Sequence, residues 1–112
     1  MALFQQRELV LLPYPFSDQK GSKVRPAIIV SNDNFNRRCE DCLMVPLTTI
    51  IKDEPFSLMI NQDSLESGKL LKPSRARIDK LFTIKKSLII MKIGKINDKT
   101  LEKIKFEINR IF

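Results

Sequence analysis

Apolar residues in this chain come only in short bursts, and that limits the folds open to it. The unbroken aliphatic runs Leu9 to Leu12 and Leu88 to Met91 are four residues long, and turn formers cut the chain between one burst and the next. Bursts of this length with Pro, Gly, Asn and Asp at their ends predict strands rather than helices. Glu8 to Leu12 is a strand stopped by Pro13-Tyr14-Pro15, and the polar stretch Ser17 to Lys23 is a long loop. Pro26 to Ser31 is a second strand, followed by an Asn32-Asp33-Asn34 turn. Asp41 to Leu47 is a third, breaking at Pro46 into a Thr48-Thr49 loop, and Phe56 to Ile60 is a fourth. After a Ser67-Gly68 turn, Lys72 to Leu81 alternates, which sets Ser74, Ala76 and Ile78 on one side and Arg75, Arg77 and Asp79 on the other. Ile90 to Ile96 is a further strand, with Gly94 as the place for a bulge. Only the end of the chain has helical periodicity. There Leu101, Ile104, Ile108 and Ile111 recur at three, four and three residues behind an Asn97 cap and Asp98 in the first turn.

Five or six short strands and one closing helix predict a mainly β fold, a small and strongly bent antiparallel barrel with the helix packed against it. The 112 residues suffice for one such core and no second domain, so residues 1–112 are expected to form a single unit.

What the chain lacks narrows its chemistry. It has no histidine, which removes the Ser-His-Asp triad, the Cys-His pair and histidine-rich zinc sites. Its two cysteines form one Cys39-Glu40-Asp41-Cys42 motif. Zinc needs four ligands, and a redox pair opens a helix after a strand, whereas this motif precedes an apolar strand. Both thiols therefore read as turn and strand-edge residues, and neither a metal nor a cofactor is expected. Gln5, Gln6, Arg7 and Glu8 stand where a signal peptide would be apolar, and no run reaches membrane-spanning length, so a soluble cytoplasmic protein with no membrane association is expected.

Charge is divided unevenly. Residues 1–68 carry a net of −2 and residues 69–112 a net of +9, which makes the second part the expected polyanion surface. For Lys95, Lys99, Lys103 and Lys105 a solvated helix and strand face is the simpler account.

Three segments carry a family pattern. Lys23-Val24-Arg25-Pro26-Ala27-Ile28-Ile29-Val30-Ser31-Asn32-Asp33 is preceded by Pro15-Phe16-Ser17-Asp18 and followed by Val45-Pro46-Leu47-Thr48-Thr49. Later come Leu70-Leu71-Lys72-Pro73-Ser74, Arg77-Ile78-Asp79-Lys80, Phe82-Thr83-Ile84 and Ile93-Gly94-Lys95-Ile96. Over nearly its whole length the chain resembles the MazF/PemK family of toxin endoribonucleases, with the Arg-Pro-Ala step as the most specific element. The resemblance implies an SH3-like barrel, a homodimer, cleavage of single-stranded mRNA, and restraint by a separate antitoxin protein. It implies that Arg25 and Thr48 are the catalytic pair and, by the Kid-like branch, that Arg77 and Asp79 share the acid-base work. The first loop departs from the pattern: Gln19-Lys20-Gly21-Ser22 stands where many members carry Gly-Ser-Glu-Gln. Ser17, Gln19 and Ser22 are the candidates to replace that polar contact. With Lys23, Thr49, Lys72, Ser74 and Arg75 they make up the expected RNA-binding set.

This chemistry is reasonable for the residues themselves. RNA carries its own nucleophile, the 2′-hydroxyl beside each phosphate, so a protein need only position the strand, stabilise charge and move protons. A guanidinium such as Arg25 grips a phosphate with two parallel hydrogen bonds, a Thr48 hydroxyl adds one more, and Asp79 is the candidate acceptor of the 2′-hydroxyl proton, with a salt-bridged strand face as the alternative account of Arg77 and Asp79. Two rivals remain. A gyrase-binding toxin of the CcdB type is disfavoured because the chain has no Trp and ends Arg110-Ile111-Phe112. A barrel that binds RNA or antitoxin without cutting is kept open by the altered first loop.

Overall fold

Strands form wherever the short apolar bursts predict them, and in two places where they do not. The computed structural model describes residues 4–13 and 24–112, and within these eight strands and two α-helices form. The strands are β1 (Glu8–Pro13), β2 (Val24–Ile29), β3 (Asp41–Thr48), β4 (Ser57–Ile60), β5 (Leu65–Gly68), β6 (Ser74–Arg77), β7 (Phe82–Lys85) and β8 (Met91–Ile96). The helices are α1 (Asp33–Arg38) and α2 (Asp98–Ile111). Among the described residues the strands pair antiparallel, in the order β4-β6-β3-β2-β1-β8-β5, with β7 added to β3. The result is the expected bent β fold, a curled sheet closed off by a terminal helix.

The sheet is buried on both faces, which explains why β1 is an unbroken apolar run instead of an alternating one. Leu9 lies opposite Ile28, and Ile28 opposite Val45. These three join Leu47, Ile60, Ala76, Ile78 and Ile96 in one apolar layer, sealed by Leu101 and Ile104 of α2. Val10, Leu12, Ala27, Ile29, Cys42, Met44 and Ile84 point the other way and form a second layer, covered by Phe4, Phe82 and Ile89. α2 begins as its sequence predicts: the Asn97 side chain accepts a hydrogen bond from Thr100 N at 2.8 Å. The Asn32 turn is instead the cap of α1, its side chain accepting from Phe35 N at 2.8 Å.

β3 does not break at Pro46. Leu43 turns its carbonyl toward β2, accepting from Val30 N at 2.9 Å, so the nitrogen of Pro46, three residues on, faces the opposite edge. On that edge β7 pairs as far as Met44 and β6 starts at Leu47. Pro46 falls between the two partners, where no ladder bond requires its N–H. The predicted strand from Lys72 to Leu81 is, in contrast, too long. It is regular only over Ser74–Arg77, and Ile78–Lys80 forms a 3₁₀ turn that carries Asp79 off the sheet.

Arg7 ties the chain's start to its end. It occupies the left-handed region (φ 83°), a conformation that costs a non-glycine residue about 1 kcal/mol. Its N–H bonds Ile29 O and its carbonyl accepts from Ile96 N, both at 2.8 Å. The guanidinium donates to Glu66 Oε1 at 2.7 Å and holds that carboxyl below its usual range. A carboxylate lowered in the folded state stabilises above its unfolded pKa, so this contribution fades as pH falls through the lowered value. Among the described residues no helix is long and apolar enough to cross a membrane.

β5 and β8 meet at two glycines. Gly68 (φ 87°) lies opposite Gly94, and a Cβ on Gly68 would sit 2.3 Å from both Gly94 Cα and Ile93 O. Neither neighbour is a movable side chain. Gly68→Ala is therefore expected to cost about 2 kcal/mol or more and to lower the melting temperature by roughly 10 °C, measured by thermal unfolding.

Candidate active site

In a sheet covered on both faces, hydrophilic side chains gather where strands end, and one end collects most of the predicted site residues that the structure describes. β2 starts there, β3 finishes there and β6 begins there. Arg25, the second residue of β2 and half-buried, borders a cleft of about 300 Å³ together with Val24, Pro26, Leu47, Thr49 and Ser74. The β2–β3 ladder ends at Ala27 and Pro46. Carried two residues further, its register sets Arg25 opposite Thr48, on the same side of the sheet. A second, more apolar hollow of about 330 Å³ shares Pro26, Thr49 and Ser74 and continues beneath Lys69 to Lys72.

Thr48 ends β3, and its Oγ1 accepts the Ile50 N–H at 3.1 Å. This small turn fixes the hydroxyl by its acceptor side and leaves its own proton to donate elsewhere. Thr49 is exposed at the cleft. Ser74 is buried, its Oγ donating to Lys72 O at 3.1 Å, and Lys72 itself is exposed. Arg77 is half-buried and pairs with Asp79 at 3.2 Å, with its Nε enclosed and without a hydrogen-bond partner. Asp79 is on the exposed 3₁₀ turn, so the shared strand face expected for Arg75, Arg77 and Asp79 does not extend to the carboxylate. Ser17, Gln19, Ser22 and Lys23 lie outside the described residues.

Arg75 corrects the sequence reading. Expected at an exposed RNA surface, it is 4% exposed. Its Nη1 meets Glu54 Oε1 at 3.2 Å and its Nε donates to Ile50 O at 3.3 Å. Period-2 alternation assigned its face correctly, since Arg75 is the Cα partner of Thr48. What the pattern did not reveal is that the β3–β4 loop folds over this face and takes up the charge. Glu54, the only acidic residue of that loop besides Asp53, was the available signal.

The cysteines behave as structural residues, though Cys42 lies deeper than a strand edge. It is fully buried in the second apolar layer, where burial pushes its thiol pKa up, and Cys39 is half-buried at the end of α1. Among the described residues no group of three or more Cys, Asp or Glu side chains is placed to hold a metal.

The fold is a curled antiparallel half-barrel capped by a C-terminal helix, with Arg25 and Thr48 at one open end. The family model of PemK-like, MazF-like toxins of type II toxin-antitoxin systems matches residues 5–112, and the chain belongs to that family. Solved structures agree with the fold. The MazE-MazF complex from Deinococcus radiodurans superposes with a TM-score of 0.77 at 17% identity, covering 97% of this chain and 95% of that one. The Mycobacterium tuberculosis toxin MazF-mt6 gives 0.75 at 16% identity over 93% and 94%. An endoribonuclease in complex with its cognate antitoxin, from a mycobacterial species, gives 0.74 at 22% identity over 95% and 91%. No curated protein matches the chain in sequence.

The two thiols should respond differently to modification. A thiol-specific disulfide reagent is expected to titrate Cys39 in the native protein and Cys42 only after unfolding, because a buried neutral thiol is a poor nucleophile. Rapid reaction at both positions without denaturant would contradict the buried placement.

Proposed function

We propose that this single toxin domain, residues 1–112, is a metal-independent endoribonuclease that cuts single-stranded mRNA by attack of the substrate's 2′-hydroxyl. The observation that carries this reading is the convergence, at one end of adjacent strands, of Arg25, which borders a cleft, and Thr48, whose hydroxyl oxygen already accepts the Ile50 N–H. Such a hydroxyl donates to a phosphoryl oxygen without reorganising, and the guanidinium meets the charge that grows on the phosphorane. No water has to be activated. Asp79, steered by Arg77, is the proposed acceptor of the 2′-hydroxyl proton.

Several features of this reading come from relatives rather than from the geometry. Family membership and the description of the mycobacterial neighbour as an endoribonuclease bound to its cognate antitoxin support RNA cleavage and antitoxin restraint in this chain as well. A homodimer acting in the cytoplasm completes the proposal. An acidic antitoxin segment would be drawn to the basic second part of the chain. Lys72 and Thr49, exposed around the cleft, are the proposed RNA contacts among the described residues, with Ser74 shaping the cleft from beneath. Ser17, Gln19, Ser22 and Lys23 are proposed to complete the contact from the first loop.

Cleavage of a long RNA by the purified protein is the primary test. Arg25→Ala should lower the rate about a hundredfold or more, corresponding to roughly 3 kcal/mol of transition-state stabilisation, and Arg25→Lys should do nearly as badly because it loses the fork. Wild-type rates in either variant would remove Arg25 from the mechanism.

The nucleophile is tested separately. Cleavage should persist in excess EDTA and leave a 2′,3′-cyclic phosphate and a 5′-hydroxyl, and a single 2′-deoxy residue before the scissile bond should bind without being cut. Efficient cutting of the deoxy strand would point to water as the nucleophile.

A further inference from the structure

We infer that Arg75 is a positioning residue that sets the Thr48 hydroxyl through the peptide units on either side of Ile50. The inference rests on the reading of Thr48 as a phosphate donor. Ile50 is held at both of its main-chain groups: its N–H by Thr48 Oγ1 at 3.1 Å, its carbonyl by Arg75 Nε at 3.3 Å. Arg75 is the Cα partner of Thr48 across β3 and β6, so its side chain leaves the strand opposite the threonine and its guanidinium meets the loop that follows. Its remaining contact is with Glu54, whose own carbonyl accepts from Ser57 Oγ at 2.7 Å.

Burial shows what this charge is for. A phosphate-binding arginine keeps its fork toward solvent, whereas Arg75 is 4% exposed and has a carboxylate and a carbonyl as partners. A charge removed from water persists only when such partners compensate it. The segment it holds has few other anchors, since Ile50 is 59% and Ile51 53% exposed. Without the tether, the Ile50 peptide can turn away from Thr48 Oγ1, and the hydroxyl is then free to occupy any of its staggered rotamers. Glu54 contributes by keeping Arg75 turned toward the loop.

Arg75→Met should therefore lower kcat about tenfold with KM unchanged, and should leave the salt dependence of RNA binding as in wild type. Thr48→Val should lower kcat by a similar factor. The double variant should be no worse than Thr48→Val alone, because two residues acting through one hydroxyl do not multiply. Glu54→Gln, on the exposed loop, keeps an oxygen acceptor for Arg75 while removing its counter-charge; it should show a smaller loss with the same non-additivity, and it serves if Arg75→Met fails to fold. A hundredfold loss in the double variant, or a salt slope flattened by about 0.7 for one lost phosphate contact, would overturn the inference and return Arg75 to the RNA surface. Amide hydrogen exchange at Ile50 in the same variants gives a readout without substrate. It should accelerate at least tenfold in Arg75→Met or Glu54→Gln while core amides keep their rates. Unchanged exchange would mean there is no tether, whether or not the wild-type protein cuts RNA, and a wild type that does not cut would count against the proposed function alone.

Discussion

Burial of the sheet on both faces governs most of what this chain can place where. With one apolar layer under α2 and another under Phe4, Phe82 and Ile89, the middle of β1, β2 and β3 has no room for a charge or a catalytic hydroxyl. Polar function is pushed to the strand ends. Because β3 runs antiparallel to both β2 and β6, the start of β2, the finish of β3 and the start of β6 arrive together, and Arg25, Thr48, Thr49, Ser74 and Arg75 come with them. Residues far apart in the sequence meet through register, without any long-range device beyond the pairing itself.

That same logic separates what was legible in the sequence from what was not. The terminal helix was readable because its cap and its stripe are local: Asn97 bonds the N–H three residues on, and the stripe needs only a 3.6-residue repeat. Fold class was readable from the length of the apolar bursts. Two strands were not. Leu65–Gly68 and Phe82–Lys85 are four residues each with polar members, and their identity as strands comes from partners supplied by β8 and β3. β3 was read as a strand but expected to break at Pro46; that it runs on to Thr48 depends on a gap between β6 and β7 that no local pattern encodes. In the candidate site, motif resemblance singled out Arg25 and Thr48, and the structure brings their strands together at a cleft. It also placed Arg75 among exposed contacts, because alternation tells which face a side chain takes and not what else covers that face.

The charges of the basic segment thus divide by role. Lys92 is matched by Glu8, Lys105 by Glu102 and Arg110 by Glu107. Arg75 is turned inward, and Arg77 is committed to Asp79. Lys69 and Lys72, flanking the hollow beside the cleft, remain as the cations best placed to meet a polyanion. A net charge summed over a segment therefore overstates its attraction for nucleic acid, since an ion-paired side chain contributes little field beyond its partner.

The pairing of β1 with β8 has a consequence for how the protein comes into being. β1 lies in the interior of the sheet, between β2 and a strand some eighty residues later, and Arg7 reaches from its start to Ile96 and Glu66. The apolar layer under α2 cannot close until that late strand, with Ile96, has been synthesised, and contacts of such sequence separation form slowly. On the ribosome the first half of the chain is therefore a β-rich segment with an unpaired edge and no finished core. The layer that backs the sheet is sealed only when β8 and α2 emerge, so a nascent chain spends most of its synthesis without the support on which its strand ends depend.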